Sequence, residues 1–395
     1  MRNGGLRGFS VTSNIHCSED AQQIALKRLP KLISGFVEGG TGREVGVNNN
    51  TAAFDCIKLQ ARVLRKVDPR STAQNFLGRQ YSVPFGVAPM GMCNVVHPRA
   101  DQFLAKMAIT HNIPLGLSTA ASTAVEEMNA IAPDRVWFQL YLVPPIDHAM
   151  SLIDRAEAAG CETLVLTVDV PQISRRIRDL QNGFKMDFKM GLRQFYDLAT
   201  HPVYSLRMVW AGRPQPAHFP KTGAKFDRTA SRALADWEFL QNLRDRWKGQ
   251  LILKGVTSIP DAVRIKDIGA DAIWVSNHGG RQLDSAPAPI DILPQMRRSL
   301  GPDYPLILDS GVRGGEDILK ALVCGANFVM LGRPWLYAIG AEAERGLESL
   351  REALTFDLSA AMAQIGVKHF SEITHENLAS HSDTMDKQNC LSRSL

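Results

Sequence analysis

The run Asn277–Arg281, which reads Asn-His-Gly-Gly-Arg, combines the two side chains best suited to chemistry on an acidic substrate. An imidazole can take up a proton near neutral pH, and a guanidinium can bind a carboxylate through two hydrogen bonds. The glycines let the loop bend so that both groups face one ligand. Asp169 is the candidate carboxylate that would orient His278 and stabilise its protonated form. Two simpler interpretations stay open: a plain turn at 277–281 and a helix cap at Asp169.

Lys254 ends an apolar stretch. The aliphatic part of its side chain is therefore expected to be buried, and its amine is expected to point beyond the end of that stretch. The amine could form a Schiff base, as in barrel aldolases, or remain a permanent cation beside an electron-poor cofactor. Arg175 and Arg176 follow Asp169 closely, and one of them could complete a carboxylate clamp. These residues predict a site for a small anionic substrate.

Glycines and arginines recur later in the chain, in Asp309–Arg313 and again at Gly332 and Arg333. Glycines after a strand let backbone N–H groups close on a phosphate, and arginines add charge-assisted hydrogen bonds. The two loops together predict a phosphate site, although each alone fits an ordinary turn. No Gly-x-Gly-x-x-Gly run follows a strand, so a Rossmann nicotinamide site is not expected. The six widely spaced cysteines include no Cys-x-x-Cys pair, and no metal site is expected.

Eight short apolar runs would position these residues, since most of the runs end beside one of the candidate side chains. Such runs, with helical patterns between them, are typical of buried parallel strands. Eight of them predict an α/β fold, a (β/α)8 TIM barrel, in which functional residues lie at the carboxyl ends of the strands. The runs are Val83–Pro89, Ile113–Ser118, Val136–Tyr141, Thr163–Asp169, Gln250–Lys254, Asp271–Asn277, Pro305–Asp309 and Asn327–Gly332.

The barrel is expected to span 83–375, after an N-terminal helical extension over 1–82 that covers its bottom or flanks its mouth. The extension is predicted to hold one helix, Ser18–Glu38. A long insertion at 184–235 follows the fourth strand, and a polar tail occupies 376–395. Insertions of this length in a compact domain usually carry function or stay mobile.

Four segments resemble the FMN-dependent L-2-hydroxy acid oxidases and dehydrogenases, a family that includes glycolate oxidase, L-lactate dehydrogenase and (S)-mandelate dehydrogenase. These segments are Trp137–Tyr141, Thr167–Asp169, Ser276–Asp284 and Asp309–Gly315, and the similarity runs from about Leu29 to about Thr374. The resemblance implies an FMN cofactor and oxidation of an (S)-2-hydroxy acid, lactate- or mandelate-like, to the 2-oxo acid. Electrons would pass from reduced FMN to a quinone, to oxygen or to a separate protein. The resemblance also implies a homo-oligomer, a tetramer.

The resemblance assigns a role to each candidate residue. His278 would be the base, paired with Asp169, and Lys254 would lie beside the flavin ring, where a cation stabilises the reduced anionic form. The residues implied in substrate binding are Phe36, Tyr141, Arg176, His278 and Arg281. The residues implied in cofactor binding are Pro89, Met90, Gly91, Ser118, Gln139, Thr167, Lys254, Ser276, Asp309, Gly311, Arg313, Gly332 and Arg333.

Three positions depart from patterns found in many members of that family. Phe36 stands where a tyrosine usually helps to bind the carboxylate, and losing a hydrogen bond to a charged group costs about 1.5–3 kcal/mol. Met90 stands where many members have a small or polar residue above the flavin. The next residue, Gly91, resembles the dehydrogenase branch, because the oxidases tend to have alanine there, and we therefore expect poor use of oxygen. Ala120 replaces the tryptophan of glycolate oxidase, as in mandelate dehydrogenase, and leaves room for a bulky or aromatic substrate.

Three other functions stay open at this point. One is an oxygen-using 2-hydroxy acid oxidase, and another is a flavin-free phosphosugar aldolase or isomerase that uses Lys254. The third is a non-catalytic barrel that binds a phosphate ligand, which would leave Asp169, His278 and Arg281 unexplained. A purified protein without a flavin spectrum would favour the aldolase.

The formal net charge of +5, from 45 Lys and Arg against 40 Asp and Glu, is too mild for a dedicated nucleic-acid-binding protein. The excess lies in the segment 184–226, which holds seven basic, two acidic and eight aromatic side chains. Cations interleaved with aromatics suit a membrane interface, and a mobile lid over the barrel mouth is the alternative. No apolar run reaches the roughly 18 residues that span a bilayer. We expect a cytoplasmic protein, either fully soluble or peripheral on the inner face of the cell membrane through 184–226.

Overall fold

The structure, a computed structural model, describes residues 13–184, 190–219 and 234–379. Its central strands are β3 (Phe85–Met90), β4 (Leu115–Ser118), β5 (Val136–Leu140), β6 (Thr163–Thr167), β7 (Gln250–Val256), β8 (Ala272–Val275), β9 (Leu306–Leu308) and β10 (Phe328–Leu331). Each strand pairs in parallel with the next, and β10 pairs with β3 to close the barrel. The strands are almost uniformly apolar because core and helices cover both of their faces. The predicted (β/α)8 barrel is confirmed.

Helices follow the strands, and most of them form the outer layer of the barrel. They are α4 (Ala100–Thr110), α5 (Val125–Ile131), α6 (Ile146–Ala158), α7 (Ile177–Asn182), α8 (Leu192–Ala199), α9 (Pro202–Ala211), α10 (Trp237–Arg246), α11 (Ile259–Asp267), α12 (Pro289–Leu300), α13 (Gly315–Val323) and α14 (Arg333–Ile365). The last helix is kinked at Glu342 and Ala343, whose backbone angles are not helical. It therefore acts as two consecutive helices, of which the first starts directly after β10.

The chain before the barrel forms α1 (Ser18–Arg28), α2 (Lys31–Glu38) and α3 (Val45–Asp55), so the prediction of one helix over Ser18–Glu38 is wrong. Pro30 lacks a backbone N–H and disfavours helical angles at Leu29, which is extended at φ −98° and ψ 138°. The break lets α1 pack along α14 while α2 and α3 turn toward the barrel mouth.

A hairpin of β1 (Gln74–Phe76) and β2 (Arg79–Tyr81) covers the opposite end of the barrel. The rings of Phe76 and Tyr81 pack on Trp137 and Phe328, which lie near the amino ends of their strands. The extension therefore contacts both ends of the barrel. The end at the carboxyl termini of the strands opens into a cleft lined by candidate residues.

The described part of the insertion is anchored on the barrel by two buried side chains. The Tyr204 hydroxyl donates to the Val95 carbonyl at 2.7 Å, and the His218 ring bridges the Thr119 carbonyl and the Val125 N–H at 3.0 Å each. Burial lowers the pKa of His218 to about 4, in keeping with a neutral ring that donates once and accepts once. The insertion segments 185–189 and 220–233, and 380–395 of the predicted tail, lie outside the described residues.

Candidate active site

His278 and Asp169 lie together at the barrel mouth. The Nδ1 atom of His278 is 3.0 and 3.2 Å from the two Asp169 carboxylate oxygens, and its Nε2 atom is 3.3 Å from the Tyr141 hydroxyl. The three residues follow β8, β6 and β5, so strand ends unite positions that are distant in sequence. Because a carboxylate only accepts, we assign the ring proton to Nδ1. Nε2 is then an acceptor at the cleft.

The loop that carries His278 has left-handed backbone angles at three successive residues. The φ angle is 59° at His278, 64° at Gly279 and 72° at Gly280. Glycine adopts such angles freely, whereas histidine pays about 1–3 kcal/mol. Hydrogen bonds hold the loop, since the His278 N–H donates to Ser276 Oγ and the Gly279 N–H donates to Ser310 Oγ, each at 3.0 Å. This is a strained residue kept in place at a candidate catalytic position.

Lys254 places a buried cation beside this pair. Its Nζ atom lies 3.0 Å from Asp309 Oδ2, and the two side chains are 5% and 10% exposed. Nζ also donates to Ser276 Oγ at 2.9 Å and lies 5.1 Å from the centre of the Trp274 ring. Ser276 therefore links the lysine to the His278 backbone.

Burial and neighbouring charges decide the protonation of these groups. Burial lowers the pKa of His278 below its ordinary value, and Asp169 offsets only part of this effect. Burial raises the pKa of Asp169, but interactions with His278 and Lys254 outweigh it and leave that pKa below its usual value. Burial likewise lowers the pKa of Lys254, but the charges of Asp309 and Asp169 outweigh it, and the net shift is upward. Near neutral pH the histidine is neutral, the carboxylate ionised and the lysine charged.

Two arginines are held by the carbonyl end of α2. Arg281 Nη1 donates to the carbonyls of Phe36 at 2.9 Å and Gly39 at 2.8 Å. Arg333 donates to the carbonyls of Val37, Gly279 and Gly39 at 2.8–3.1 Å, and these bonds occupy three of its five N–H groups. The carboxyl end of a helix attracts cations, so α2 aids in orienting both guanidinium groups. Burial lowers the pKa of Arg333 to about 10.

One cleft gathers most of the predicted site residues. Those that line it are Phe36, Pro89, Met90, Gly91, Ser118, Tyr141, Arg176, Lys254, His278, Arg281, Asp309, Gly311, Arg313, Gly332 and Arg333. The remaining four, Asp169, Gln139, Thr167 and Ser276, are not part of its lining, although each lies at the carboxyl end of a barrel strand or directly after one. The glycine- and arginine-containing loops, the cationic side chains and His278 thus meet in one cleft. This agrees with the expectation that functional residues lie at the carboxyl ends of the barrel strands.

Two polar atoms near this cleft indicate a bound group. Gln139 Nε2 and Thr167 Oγ1 are buried and have no hydrogen-bond partner within the described part of the chain. Buried polar atoms are normally hydrogen-bonded, so a ligand with donors and acceptors along its edge would complete them. A flavin ring has such an edge, and the Gly311 and Gly332 loops with Arg313 offer room and charge for its phosphate chain. The residues present fit FMN.

Sequence reasoning missed several residues of the site, and two of them make distinctive contacts. Phe184, predicted only as part of the insertion, lines the cleft and stacks on Phe36 with ring centroids 4.3 Å apart. Asn50 of α3 exchanges two amide hydrogen bonds, of 2.6 and 2.8 Å, with Asn277 beside the histidine. The position of Asn277 in the Asn-His-Gly-Gly-Arg run was a signal for the second contact. Nothing local marks Phe184.

The profile of the FMN-dependent dehydrogenases matches residues 25–380. The chain belongs to this family. (S)-Mandelate dehydrogenase of Pseudomonas putida is 35% identical over 382 residues, covering 95% of this chain and 96% of that protein. A putative L-lactate dehydrogenase of Mycobacterium tuberculosis is 32% identical over 363 residues, covering 90% and 87%. The crystal structure of the monotopic membrane protein (S)-mandelate dehydrogenase matches with a TM-score of 0.89 at 35% identity, covering 93% of this chain and 100% of that one.

The protein is therefore an FMN enzyme of the 2-hydroxy acid dehydrogenase family. Family membership overturns the flavin-free aldolase and the non-catalytic barrel as alternatives. Lys254 agrees with this result, because a Schiff-base lysine needs a lowered pKa and the pKa of Lys254 is raised.

Proposed function

We propose that this enzyme oxidises an (S)-2-hydroxy acid, lactate- or mandelate-like, to the 2-oxo acid, with His278 as the base. The observation that carries the proposal is the His278–Asp169 pair, in which the unprotonated Nε2 atom stands at the cleft beside Tyr141. The names of the mandelate and lactate dehydrogenase relatives support this substrate class.

Each side chain of the pair has one task in this proposal. Nε2 of His278 accepts one proton from the substrate, and the ionised Asp169 stabilises the imidazolium that results. The Tyr141 hydroxyl, 3.3 Å from Nε2, hydrogen-bonds the substrate oxygen. FMN, when bound, would take up the two electrons and the second hydrogen that leave the substrate. Lys254 stays charged and offsets negative charge that develops near it.

The cleft supplies both an anion site and an apolar wall. Arg176 and Arg281 line it and would bind the substrate carboxylate. The stacked rings of Phe36 and Phe184 line the same cleft, and so does the small side chain of Ala120, which takes up little of its space. A 2-hydroxy acid with an aromatic or large apolar side chain therefore fits better than a small one.

Anaerobic titration of the purified holoenzyme tests this function. L-Lactate, (S)-mandelate and longer 2-hydroxy acids are added in turn, and the flavin absorbance is followed. We expect bleaching, fastest with (S)-mandelate and absent with (R)-mandelate. If none of these acids bleaches the flavin, the proposed substrate class is wrong. Reoxidation by air that is slow compared with reoxidation by a soluble quinone would separate the dehydrogenase from the oxidase.

Phe36→Tyr should tighten substrate binding. The new hydroxyl would give the substrate carboxylate the hydrogen bond that most family members have, worth about 1.5–3 kcal/mol, or roughly 10- to 100-fold in affinity. The check is the substrate concentration that half-saturates anaerobic flavin reduction. Phe184→Tyr is the matched control on the facing ring of the stacked pair, and we expect less effect there. Unchanged saturation in Phe36→Tyr would mean that this pocket does not use the missing hydroxyl.

The pH profile should show a base whose pKa lies below the ordinary histidine value. The base must be neutral to accept a proton, so the acidic limb of kcat/KM is expected to have its midpoint below the ordinary histidine value of about 6.5. Since Asp169 raises the pKa of His278, Asp169→Asn should move this acidic limb to still lower pH while lowering the plateau. A limb at higher pH in that variant would contradict the assignment.

We further propose that the insertion contacts a membrane, which would favour a quinone as the electron acceptor. Leu192, Phe195 and Tyr196 share one face of α8 and are 61–91% exposed, and Val209 and Trp210 of α9 are 79% and 89% exposed. Exposed apolar patches of this kind mark interaction sites.

The basic side chains of the described segment are Arg193, Arg207 and Arg213, whereas Lys185, Lys189, Lys221 and Lys225 lie outside the described residues. The monotopic mandelate dehydrogenase structure supports the choice of a membrane, and no helix in the described ranges is long and apolar enough to cross one.

Replacing Phe195 and Trp210 with aspartate should weaken binding to phosphatidylglycerol vesicles by at least about tenfold, because two exposed rings that would insert into the bilayer are lost and two negative charges that anionic lipid repels are added. Co-sedimentation measures the bound fraction, and the FMN content should not change. The control replaces Val63 and Leu64, which are 82% and 102% exposed outside the insertion, with aspartate. A wild-type protein that does not bind these vesicles would rule out the membrane contact and favour the lid.

A further inference from the structure

Asp101 is a buried carboxylate that the proposed chemistry does not use. It lies in the first turn of α4 and is 2% exposed. Its Oδ2 atom accepts the Ser122 N–H at 3.0 Å, and it is also hydrogen-bonded to the Thr123 side chain and N–H and to the Cys93 thiol. The two N–H groups and the Thr123 hydroxyl donate to it, whereas the single thiol proton of Cys93 is shared between Asp101 and the Met90 carbonyl 3.4 Å away. Burial raises the pKa of Asp101 to about 6, so the carboxylate is ionised in mildly alkaline solution, where it only accepts and matches these converging donors.

The donors come from two different loops, one at 91–96 after β3 and one at 119–124 after β4. Cys93 belongs to the first loop, while Ser122 and Thr123 belong to the second. The Asp101 N–H donates in turn to Asn94 Oδ1 of the first loop at 3.0 Å. One residue at the start of α4 therefore joins both loops. Its position at a helix N-terminus also favours the charged form.

These two loops meet at the wall of the substrate cleft. Gly91, Met92 and Ala120 line the cleft, and the Met92 N–H donates to the Ala120 carbonyl at 2.9 Å. A Cβ placed on Gly91 would lie 3.0 Å from the Ala120 Cβ, which is tighter than nine in ten real contacts of this kind. An extra methyl group therefore fits only if the Ala120 side chain or one of the loops moves by a few tenths of an ångström.

We propose that Asp101 is a positioning residue that holds the loop 91–96 against the loop 119–124 and so sets the width of the substrate pocket between Gly91 and Ala120. The statement about substrate rests on the proposed function, whereas the statement about the loops does not. Weakening the Asp101 hydrogen bonds lets the loops part. The space at Gly91 then admits a methyl group that the native spacing rejects.

The test is a double-mutant cycle of Asp101→Asn with Gly91→Ala in the holoenzyme at pH 8. Asparagine keeps the size of the side chain but replaces one accepting oxygen with an N–H₂ group, which cannot accept hydrogen bonds from the Ser122 and Thr123 donors. The probe is phenylglyoxylate, the 2-oxo acid of mandelate, and its dissociation constant is read from the flavin absorbance. We expect Gly91→Ala to weaken binding about tenfold in the native background, as overpacking does, and to have less than about threefold effect beside Asp101→Asn. Equal effects in the two backgrounds would overturn the proposal.

A second readout needs neither substrate nor activity. The Met92 methyl group, whose sulfur accepts the Ser122 hydroxyl at 3.8 Å, reports the loop contact in ¹³C-methyl NMR spectra of the holoenzyme. Its signal should shift strongly on Gly91→Ala alone and weakly when Asp101→Asn is present. If phenylglyoxylate fails to bind the wild type, the proposed substrate class fails, but the NMR result still decides the role of Asp101.

Two further variants keep the test decisive. Asp261→Asn makes the same charge change in the first turn of α11, where the side chain is exposed, and it should leave the Gly91→Ala effect at its native size. A reduced effect in this control would overturn the proposal. If Asp101→Asn does not fold, Thr123→Val removes one donor from the carboxylate while keeping its charge. A smaller Gly91→Ala effect in that background supports the role of Asp101, and an unchanged effect contradicts it.

Discussion

A His278→Gln variant is expected to reduce its flavin about 10²- to 10⁴-fold more slowly than the wild type, while FMN stays bound. The expected loss follows from the position of Nε2, which is the unprotonated ring atom at the cleft and lies 3.3 Å from Tyr141. Glutamine keeps polarity and approximate length but has no group that takes up a proton near neutral pH. Anaerobic stopped-flow mixing with (S)-mandelate measures the reduction rate, and the flavin spectrum before mixing measures FMN content.

Backbone strain needs its own control at this position, because His278 has a φ of 59°. Asparagine tolerates left-handed angles better than most residues, so His278→Asn separates loss of the base from distortion of the loop. Both variants should lose flavin reduction to a similar extent if the imidazole acts as the base. Near-normal reduction in either variant would remove His278 from that role. Slow reduction only in the glutamine variant would point to the loop conformation instead.

The convergence of this site could be predicted from sequence because a closed parallel barrel brings all its strand ends to one mouth. Asp169, His278 and Lys254 each stand at or just after the end of an apolar run, so counting eight runs was enough to place them together. The Pro30 break between α1 and α2 was also readable from local rules. The prediction of one helix over Ser18–Glu38 fails there because a proline disfavours helical angles at the residue before it.

Other features depend on contacts between distant segments that no local pattern reveals. Phe184 reaches the cleft only because the chain after α7 folds back over α2, where its ring meets Phe36. The guanidinium groups of Arg281 and Arg333 look like solvent-facing anion binders in sequence, yet both donate to carbonyls at the end of α2. The helix end that orients them belongs to the N-terminal extension. The extension is therefore part of the site rather than only a cover for the barrel.

Lys254→Met is expected to lower the free energy of unfolding by about 3–5 kcal/mol, the usual cost of removing one partner of a buried ion pair. The Asp309 carboxylate would lose a cation 3.0 Å away in a position where the lysine and aspartate side chains are 5% and 10% exposed. The Ser310 hydroxyl, which donates to Asp309 at 2.7 Å, cannot replace a full charge. Urea unfolding of the holoenzyme, followed by circular dichroism, measures the change.

The matched variant Lys254→Met/Asp309→Asn distinguishes an uncompensated charge from a lost packing contact. Removing both charges leaves no buried ion without a partner, so the double variant should be more stable than Lys254→Met alone even though it carries one more substitution. Both variants should still show slow flavin reduction, because the cation that offsets developing negative charge is absent from each. A double variant that is less stable than the single one would show that the lysine matters for its stem, which packs in the barrel, and not for its charge. If the double variant regains stability but still reduces its flavin slowly, the Lys254 ammonium group has two roles. It neutralises Asp309 in the folded protein, and it stabilises negative charge during the reaction.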